Sequence, residues 1–84
     1  MTMKQSDFER LPLRKKVYYV LERGKAITAR QFLHYHIKLY AYAEFYIELW
    51  YIPATNKIER VELLSLDDVL HIYKNDFDIS ELLK

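Results

Sequence analysis

The chain has no cysteine, one glycine and two prolines among its 84 residues. Without cysteine there is no disulfide framework, no thiolate metal site and no cysteine nucleophile, so packing or association must hold the fold together. No apolar run approaches the roughly 20 residues that span a bilayer, and the first ten residues lack the apolar stretch of a secretory signal. The chain also has no repeat, low-complexity tract or linker. These absences predict a single domain, residues 1–84, located in the cytoplasm.

The composition favours a compact fold of small size. Hydrophobic residues make up 51% of the chain and charged residues 30%, which excludes wholesale disorder. A chain of this length buries only about 60 to 65% of the surface that its unfolded form exposes, so its stability is modest. Self-association is a natural supplement to so small a core.

Charge is distributed unevenly, although the net charge is only +1. Residues 1–30 carry eight basic and three acidic side chains, whereas residues 31–84 carry five basic and nine acidic ones. A basic segment attracts phosphate, which is how nonspecific nucleic-acid affinity begins. Nucleic-acid-binding domains usually carry a marked positive excess, so we favour pairing of the basic and acidic parts within one chain or across a dimer.

The pattern near the amino terminus predicts a helix that ends at about Arg23. Ser6 and Glu9 have the spacing of a capping box, and Pro12 suits only the first turn of a helix, so the helix begins near residue 7 with a bend or near Pro12. Gly24 follows the last helical residue, where a left-handed cap is favoured. The buried stripe of this helix consists of Leu13, Val17, Val20 and Leu21.

Residues 33–51 alternate between apolar and other side chains with a period of two, which predicts an antiparallel hairpin. Its strands are expected at residues 32–42 and 45–52, with residues 25–31 as a connection or a short leading strand. A three-residue loop at residues 42–44 would pair Leu39 with Ile47 and Ile37 with Leu49. That register places all four side chains on one face, which the first helix covers.

A turn at residues 53–56 follows the hairpin, and Asn56 is its residue best able to adopt a positive φ. A third strand is predicted at residues 58–64. Its register stays open, because Val61 and Leu63 favour one inward face whereas Ile58 and Leu64 favour the other. A bulge at Asn56 would change which face is chosen.

Ser65 is predicted to cap a second helix, with Asp67 and Asp68 in the first turn, where the helix dipole favours acid. Its buried stripe consists of Leu66, Val69, Leu70 and Tyr73. Residues 76–83 form a short tail, and the side chains expected to dock it on the body are Phe77, Ile79, Leu82 and Leu83. The predicted fold is α+β in α-β-β-β-α order, a three-stranded antiparallel meander packed against helices in two layers.

This order is similar to that of the double-stranded RNA-binding domain. That family presents a lysine cluster to phosphates at its second helix, where this chain has Ser65, Leu66, Asp67 and Asp68. Acid at this position repels RNA, so the similarity implies the order of elements and not RNA binding.

A second resemblance covers the chain from Leu39 to Tyr73. Its motifs are a Leu-Tyr strand end, an aromatic-aliphatic-Glu-aliphatic strand and a Pro-x-Thr-Asn-x-Ile turn. Here these motifs are Leu39 and Tyr40; Tyr46, Ile47, Glu48 and Leu49; and Pro53, Thr55, Asn56 and Ile58. They resemble short α+β proteins of Bacteroidetes-type bacteria, a family with no established activity. The resemblance implies the fold, and it leads us to expect a glycine in the first hairpin loop, where this chain has Glu44.

Aromatic side chains concentrate in the hairpin, where eight lie within residues 32–51. Exposed aromatic surfaces rimmed by His, Lys and Glu are enriched at protein interfaces. We therefore expect a small non-catalytic protein-interaction domain that forms a homodimer through an aromatic sheet face. The interface residues on this hypothesis are His36, Tyr40, Tyr46 and Trp50.

The alternative is a nucleic-acid-binding module in which bases stack on the aromatic sheet and basic side chains bind phosphates. The basic residues on this hypothesis are Arg14, Lys15, Arg23, Lys25 and Arg30. We rank it second because Glu48, Glu59 and Glu62 lie on or beside the sheet, where carboxylates oppose phosphate.

The sequence offers little chemistry for catalysis or metal binding. His34 and His36 lie two residues apart on one strand, a spacing compatible with two ligands of a zinc or copper site. A third ligand, His71 or Glu48, would have to arrive through folding, and solvated or stacking histidines are the common case. No nucleophile motif, glycine-rich phosphate loop or carboxylate pair beside a histidine is present. We therefore expect no catalytic residue, no metal, no cofactor and no membrane partner.

Overall fold

The computed structural model describes residues 3–74. Its elements are α1 (Gln5–Glu9), α2 (Leu13–Arg23), β1 (Lys25–Phe32), β2 (Tyr35–Tyr42), β3 (Phe45–Ile52), β4 (Lys57–Leu64) and α3 (Leu66–Ile72). The strands form one antiparallel sheet in the order β1-β2-β3-β4, so each strand pairs with its neighbour along the chain. The α+β class is confirmed, whereas the predicted count of three strands is wrong because β1 is a full strand.

β1 lies at one edge of the sheet and pairs with β2 along its length, apart from a bulge at Ile27. All eight of its residues are exposed or only half-buried. An edge strand that buries so little needs no regular alternation of apolar residues, which is the pattern that identifies a strand in a sequence. Of the two alternatives for residues 25–31, a connection or a short leading strand, the strand is correct, although it was not counted in the predicted sheet.

Two helices precede the sheet, and Pro12 separates them. α1 begins after Lys4, whose side chain makes no cap hydrogen bond, so the capping box predicted for Ser6 and Glu9 is wrong. α2 begins directly after Pro12 and ends at Arg23, where the sequence predicted its end. The predicted start near Pro12 is therefore correct for the helix that ends at Arg23, and α1 is a separate helix that begins at Gln5.

Gly24 terminates α2 for a reason other than the predicted one. Its φ is −75° and its ψ is 154°, which is extended backbone, so the predicted left-handed cap is wrong. The Gly24 N–H donates to the carbonyl oxygen of Val20 at 2.7 Å. A Cβ at this position would lie 2.5 Å from the same oxygen. Glycine is needed here for a close backbone approach.

The β2–β3 turn contains two residues, Ala43 and Glu44, and the φ of Ala43 is 55°. Tight turns of this kind favour Gly and Asn, so an Ala-Glu pair gives no sign of one. The predicted three-residue loop is wrong, and the register shifts by one residue as a result. Tyr40 pairs with Ile47, where Leu39 was expected.

This register places apolar side chains on both faces of the sheet. The α2 face has a core of Phe8, Val20, Tyr40, Tyr42, Phe45, Ile47 and Leu49. The α3 face has a core of Leu39, Val69 and Tyr73, against which Ile27, Tyr46 and Leu64 pack. The helices thus lie on opposite sides of the sheet, and the described residues form three layers where two were expected. A shift of one residue in the β2–β3 pairing turns each side chain of β2 to the opposite face of the sheet. Ile37 and Leu39 therefore do not share a face with Ile47 and Leu49.

β4 carries a bulge at Glu59, because Trp50 pairs with Arg60 whereas Tyr51 pairs with Ile58. The additional residue allows Ile58 to pack against the same core as Val61 and Leu63. A bulge decides the register, but it lies at Glu59 and not at Asn56, where one was considered, and Leu64 packs on the α3 face. Asn56 has a φ of 59°, as the turn chemistry predicted.

Ser65 caps α3, as predicted. Its hydroxyl accepts from the Asp68 N–H at 3.1 Å, and the Asp68 carboxylate accepts from the Ser65 N–H at 3.1 Å. Val69 and Tyr73 of the predicted stripe are buried, whereas Leu66 is exposed. The predicted docking of residues 76–83 lies outside the described residues.

Candidate interaction surfaces

A buried carboxylate lies at the centre of the α3 face. Glu48 of β3 is 2% exposed. Its Oε2 accepts from Arg30 Nε at 3.0 Å and from the Tyr73 hydroxyl. Its Oε1 accepts from Trp50 Nε1 at 3.3 Å and from Arg30 Nη2 at 3.4 Å. Both oxygens are therefore hydrogen-bonded and the charge is paired, which burial of a carboxylate requires.

The partners of Glu48 titrate outside the physiological range. Burial raises the pKa of Tyr73, and the hydrogen bond to Glu48 raises it further. Burial acts to lower the pKa of Arg30, but its hydrogen bonds to Glu48 and the carboxylate charge leave that pKa raised. A neutral phenol and a charged guanidinium thus surround the carboxylate, which suits a structural network better than proton transfer.

Trp50 adjoins this network on the same face and is only 8% exposed. The rings of Phe32 and Tyr35 meet it edge-on, with centroids 6.1 Å and 5.1 Å away. The guanidinium carbon of Arg60 lies 4.4 Å from the Trp50 ring centroid and that of Arg30 lies 5.4 Å from it, both within cation–π range. The Trp50 ring therefore supports the side chains at the end of the β1–β2 hairpin from the α3 face.

The β1–β2 hairpin tip, residues 32–35, exposes two large apolar side chains. Leu33 is 80% exposed and Phe32 is 49% exposed. Leu33 also has a φ of 55°, in the left-handed region that costs a residue other than glycine about 1 kcal/mol. The chain therefore accepts both exposure and backbone strain at this position.

The side chains next to Leu33 hold the tip against β4. The Tyr35 hydroxyl donates to Glu59 Oε1 at 3.1 Å, and this hydrogen bond raises the pKa of Tyr35. His34 stacks on the Tyr35 ring with centroids 4.5 Å apart. These contacts hold the apolar tip in place, and the Glu59 carboxylate lies beside it.

A groove of about 230 Å³ lies on the α2 face, beside the last turns of α2. Its lining residues are Leu21, Lys38, Tyr40, Leu49, Tyr51 and Ile58. Tyr40 and Leu49 are buried beneath it, whereas Leu21 is 56% exposed at α2, so the prediction that Leu21 is buried is wrong. Lys38 is exposed and supplies an ammonium group to this otherwise mainly apolar lining.

The four predicted interface residues do not form one surface. Tyr40 and His36 lie on the α2 face, where Tyr40 is buried in the core and His36 is half-buried. Tyr46 and Trp50 lie on the α3 face, where Tyr46 packs near α3 and Trp50 is covered as described. The expectation of a single open aromatic face is therefore wrong, because the register divides these residues between two covered faces. Whether any of them contacts a partner stays a prediction.

The predicted basic set is also divided. Arg14 and Lys15 are exposed on α2, Arg23 is exposed at the end of that helix, and Lys25 is exposed at the start of β1. Arg30 is half-buried on the α3 face and forms an ion pair with Glu48 at 3.0 Å. Because α2 packs against the opposite face, the structure separates Arg30 from Arg14, Lys15 and Arg23, and Lys25 lies at the other end of β1 from Arg30.

The histidines do not converge. His34 belongs to the hairpin tip, His36 is the second residue of β2, and His71 is exposed on α3. Both oxygens of Glu48 already accept hydrogen bonds from other side chains. Within residues 3–74, no group of three or more His, Asp or Glu side chains is placed to hold a metal ion.

Glu48 and Leu33 have structural roles that were not predicted from the sequence: Glu48 was considered only as a metal ligand or a sheet carboxylate, and Leu33 only as a strand residue. Glu48 had a signal, because it is the only charged residue of β3, whose other seven residues are all hydrophobic. A charge in so apolar a strand predicts either an exposed face or a paired carboxylate. Leu33 had none, because leucine is an unusual turn residue and the alternation made it part of a strand.

Comparison of the chain with protein-family models, with curated proteins and with solved structures gave no match. The resemblance to short Bacteroidetes-type α+β proteins therefore stays a prediction. Among residues 3–74, no helix combines the length and the apolar character needed to cross a membrane.

Proposed function

We propose that this chain is a small, non-catalytic protein-interaction domain that self-associates as a dimer through its hairpin tip, residues 32–35. Leu33 is the observation that carries the proposal. The proposal keeps the cytoplasmic location that the composition predicts.

The reason is that Leu33 is unfavourable for folding in two respects. Its side chain is 80% exposed, and its φ of 55° is a conformation that glycine adopts without strain. The β2–β3 turn has the same φ at Ala43 and carries only a methyl group there. Backbone strain combined with an exposed apolar side chain is typical of binding loops. A partner that buries Leu33 and Phe32 accounts for both costs.

The proposal moves the predicted interface from the middle of the sheet to its β1–β2 end. Trp50 then contributes indirectly, since its ring supports Phe32 and Tyr35 from beneath. Tyr40 and Tyr46 belong to the two cores, and their removal affects folding before it affects association.

A protein partner fits this tip better than a nucleic acid does. Leu33, the most exposed side chain of the tip, offers no ring on which a base can stack, whereas Phe32 and His34 do, so the charge beside the tip decides between the two partners. Glu59, held by the Tyr35 hydroxyl, places a carboxylate beside the tip, where it opposes phosphate. The alternative nucleic-acid function therefore rests on Arg14, Lys15, Arg23 and Lys25, which lie elsewhere.

The test compares Leu33→Gly with its matched control, Ala43→Gly, in sedimentation measurements over a wide concentration range. Both changes relieve a positive φ, so each variant is as stable as the wild type or up to about 1 kcal/mol more stable in denaturant titration. Leu33→Gly is expected to be monomeric, whereas Ala43→Gly and the wild type dimerise.

Two results would overturn the proposal. One is a wild type that stays monomeric at high micromolar concentration, and the other is a Leu33→Gly variant that dimerises like the wild type. Oligonucleotide binding that falls with added salt and disappears when Arg14 and Lys15 are changed to Glu would favour the nucleic-acid alternative instead.

A further inference from the structure

We propose that the groove on the α2 face binds a small amphipathic carboxylate, a molecule that carries one carboxylate group on an apolar body. This site is separate from the hairpin tip, and the proposal does not depend on dimerisation. Three properties of the groove carry it: an apolar lining, an ammonium group outside any ion pair of the described residues, and a tyrosine hydroxyl that is open to a ligand.

The lining of the groove is mainly apolar. Side chains of β2, β3 and β4 form its floor, in which Leu49 lies opposite Lys38 and Tyr51 lies opposite Ile58. Leu21, in the last turns of α2, forms a wall and is 56% exposed. The volume of about 230 Å³ lies below the roughly 300 Å³ at which drug-sized pockets begin. The groove therefore suits the apolar body of a small ligand, whose burial there removes apolar surface from water.

Lys38 is the only charged residue in the lining. It is exposed, and among residues 3–74 it forms no ion pair with an acidic side chain. Its neighbours across the sheet are Ala29 on β1 and Leu49 on β3, so no carboxylate lies opposite it on either strand. An ammonium group that is not neutralised by a nearby carboxylate attracts an anion. The charge of the groove therefore favours a negatively charged ligand over a neutral or a positively charged one.

Tyr40 supplies a hydrogen-bond donor beside Lys38. The two residues lie two apart on β2, so their side chains are on the same face of the sheet. Tyr40 is 8% exposed, and its hydroxyl makes no hydrogen bond among residues 3–74. Because no buried side-chain polar atom in this part of the chain lacks a partner, the hydroxyl must be open to solvent, and the groove is the open surface that Tyr40 lines. A tyrosine so nearly buried is placed to donate to a bound ligand.

The two polar groups together match a carboxylate. One of its oxygens accepts from the Tyr40 hydroxyl and the other accepts from the Lys38 ammonium group. Hydrogen bonds to a charged group are stronger than those between neutral groups, and the apolar surroundings strengthen them further. A phosphate monoester fits less well, since close to two negative charges would meet a single ammonium group.

The test uses octanoate as the probe. The full chain is titrated with octanoate by calorimetry, and amide chemical shifts locate the site. Saturable binding is expected, with the largest shift changes at residues 38–40, 49–51 and 58. Octanol and octylamine present the same apolar body without the carboxylate, and each is expected to bind about tenfold more weakly or not at all.

Two variants separate the polar contacts from the stability of the fold. Tyr40→Phe keeps the ring in the core and removes only the hydroxyl, so it should unfold at the same denaturant concentration as the wild type and bind octanoate about fivefold more weakly. Lys38→Met keeps the aliphatic stem and should bind octanoate about tenfold more weakly. The matched controls are Tyr42→Phe, at another buried tyrosine of β2, and Lys25→Met, at an exposed lysine on the α3 face. Neither residue lines the groove, so both controls should bind octanoate like the wild type.

Three results would overturn the proposal. The first is a wild type in which octanoate causes no saturable shift changes, or causes them away from the groove. The second is binding of octanol as tight as that of octanoate. The third is wild-type affinity for octanoate in both Tyr40→Phe and Lys38→Met.

Leu33→Gly separates this proposal from the proposed function. The substitution changes the hairpin tip and keeps every groove residue, so the variant should bind octanoate with wild-type affinity whether or not the wild type dimerises. A monomeric wild type that binds octanoate in the groove would overturn the proposed dimer and support the ligand site. Loss of octanoate binding in Leu33→Gly would show that the two surfaces are not separate, and the proposal would then be wrong.

Discussion

The α2 face and the α3 face of the sheet differ in what covers them. On the α2 face, side chains from two helices and three strands form an extended apolar core that includes Phe8, Val20 and Ile47. On the α3 face, a helix of seven residues meets a smaller core, and a buried carboxylate lies beside it. Glu48 links β1 to α3 through Arg30 and Tyr73.

The difference shows how a small domain can hold a short helix. Apolar contacts are non-directional and grow with buried area, so they suit the longer α2. Hydrogen bonds to a buried charge are directional, and they orient α3 where little apolar area is available. The network also opposes a slip of register, because a shift of one residue would turn Glu48 into the apolar core of the α2 face without a partner.

The largest effect is expected on the apolar face. Ile47 is fully buried, and Ile47→Ala should lower the free energy of unfolding by about 4 kcal/mol, within the range for truncation of a buried isoleucine. No ionisable group is removed, so the loss should be the same at pH 6 and pH 8, measured by denaturant titration. Leu66→Ala, at an exposed leucine of α3, is the control and should cost less than about 1 kcal/mol. A loss from Ile47→Ala as small as that would contradict the assignment of Ile47 to the core.

The polar face should be nearly as sensitive when one partner of its ion pair is removed. Arg30→Met keeps the aliphatic stem but leaves the Glu48 carboxylate buried without a cation. We expect a loss of about 3 kcal/mol, at the low end for a broken buried pair, because the Arg30 side chain is 24% exposed. Adding Glu48→Gln to this variant removes the uncompensated charge and should recover part of the loss.

The matched control for this measurement is Arg60→Met. Arg60 forms an ion pair with Glu62 in which the two side chains are 51% and 40% exposed. Arg60→Met should lower the free energy of unfolding by at most about 1 kcal/mol, because it removes only a surface ion pair and a cation–π contact with Trp50. Equal losses from Arg30→Met and Arg60→Met would show that burial of Glu48 has no energetic importance.

Sequence rules that involve only neighbouring residues were sufficient to predict where several helices end or begin and which turn residue has a positive φ. The end of α2 at Arg23, the cap at Ser65 and the positive φ of Asn56 depend on neighbouring residues, and the sequence predicted all three. The strand at residues 45–52 was also correct, because its aromatic and β-branched content is unambiguous.

The pairing of the strands depended on information that local rules do not contain. A single turn residue, Ala43, adopts a φ that its type disfavours, and this choice decides which residues share a face. The division of Tyr40 and Trp50 between two faces follows from that turn. The hairpin tip depends on β1, whose exposed and half-buried residues gave no clear pattern.

The smallest of these effects is expected at the hydroxyl of Tyr73, and it carries a distinctive pH dependence. Tyr73→Phe removes one hydrogen bond to a buried carboxylate and should cost about 2 kcal/mol at neutral pH. Burial and the Glu48 hydrogen bond raise the pKa of Tyr73 above its ordinary value of 10.0. The folded state then keeps the proton at a pH where the unfolded chain loses it, so the stabilisation is complete below pH 10 and is lost as the pH rises further.

Above pH 10, the free energy of unfolding of the wild type should therefore fall more steeply than that of Tyr73→Phe, by up to about 1.4 kcal/mol per pH unit. The stability advantage of the wild type should shrink accordingly in denaturant titrations between about pH 8 and pH 11. Tyr18→Phe removes a tyrosine that is 58% exposed and serves as the control, since its pH profile should parallel that of the wild type. If the free energy of unfolding depends on pH in the same way for Tyr73→Phe and the wild type, apolar contacts alone hold α3. The two faces would then differ in the apolar area that they bury and not in the kind of interaction that holds their helices.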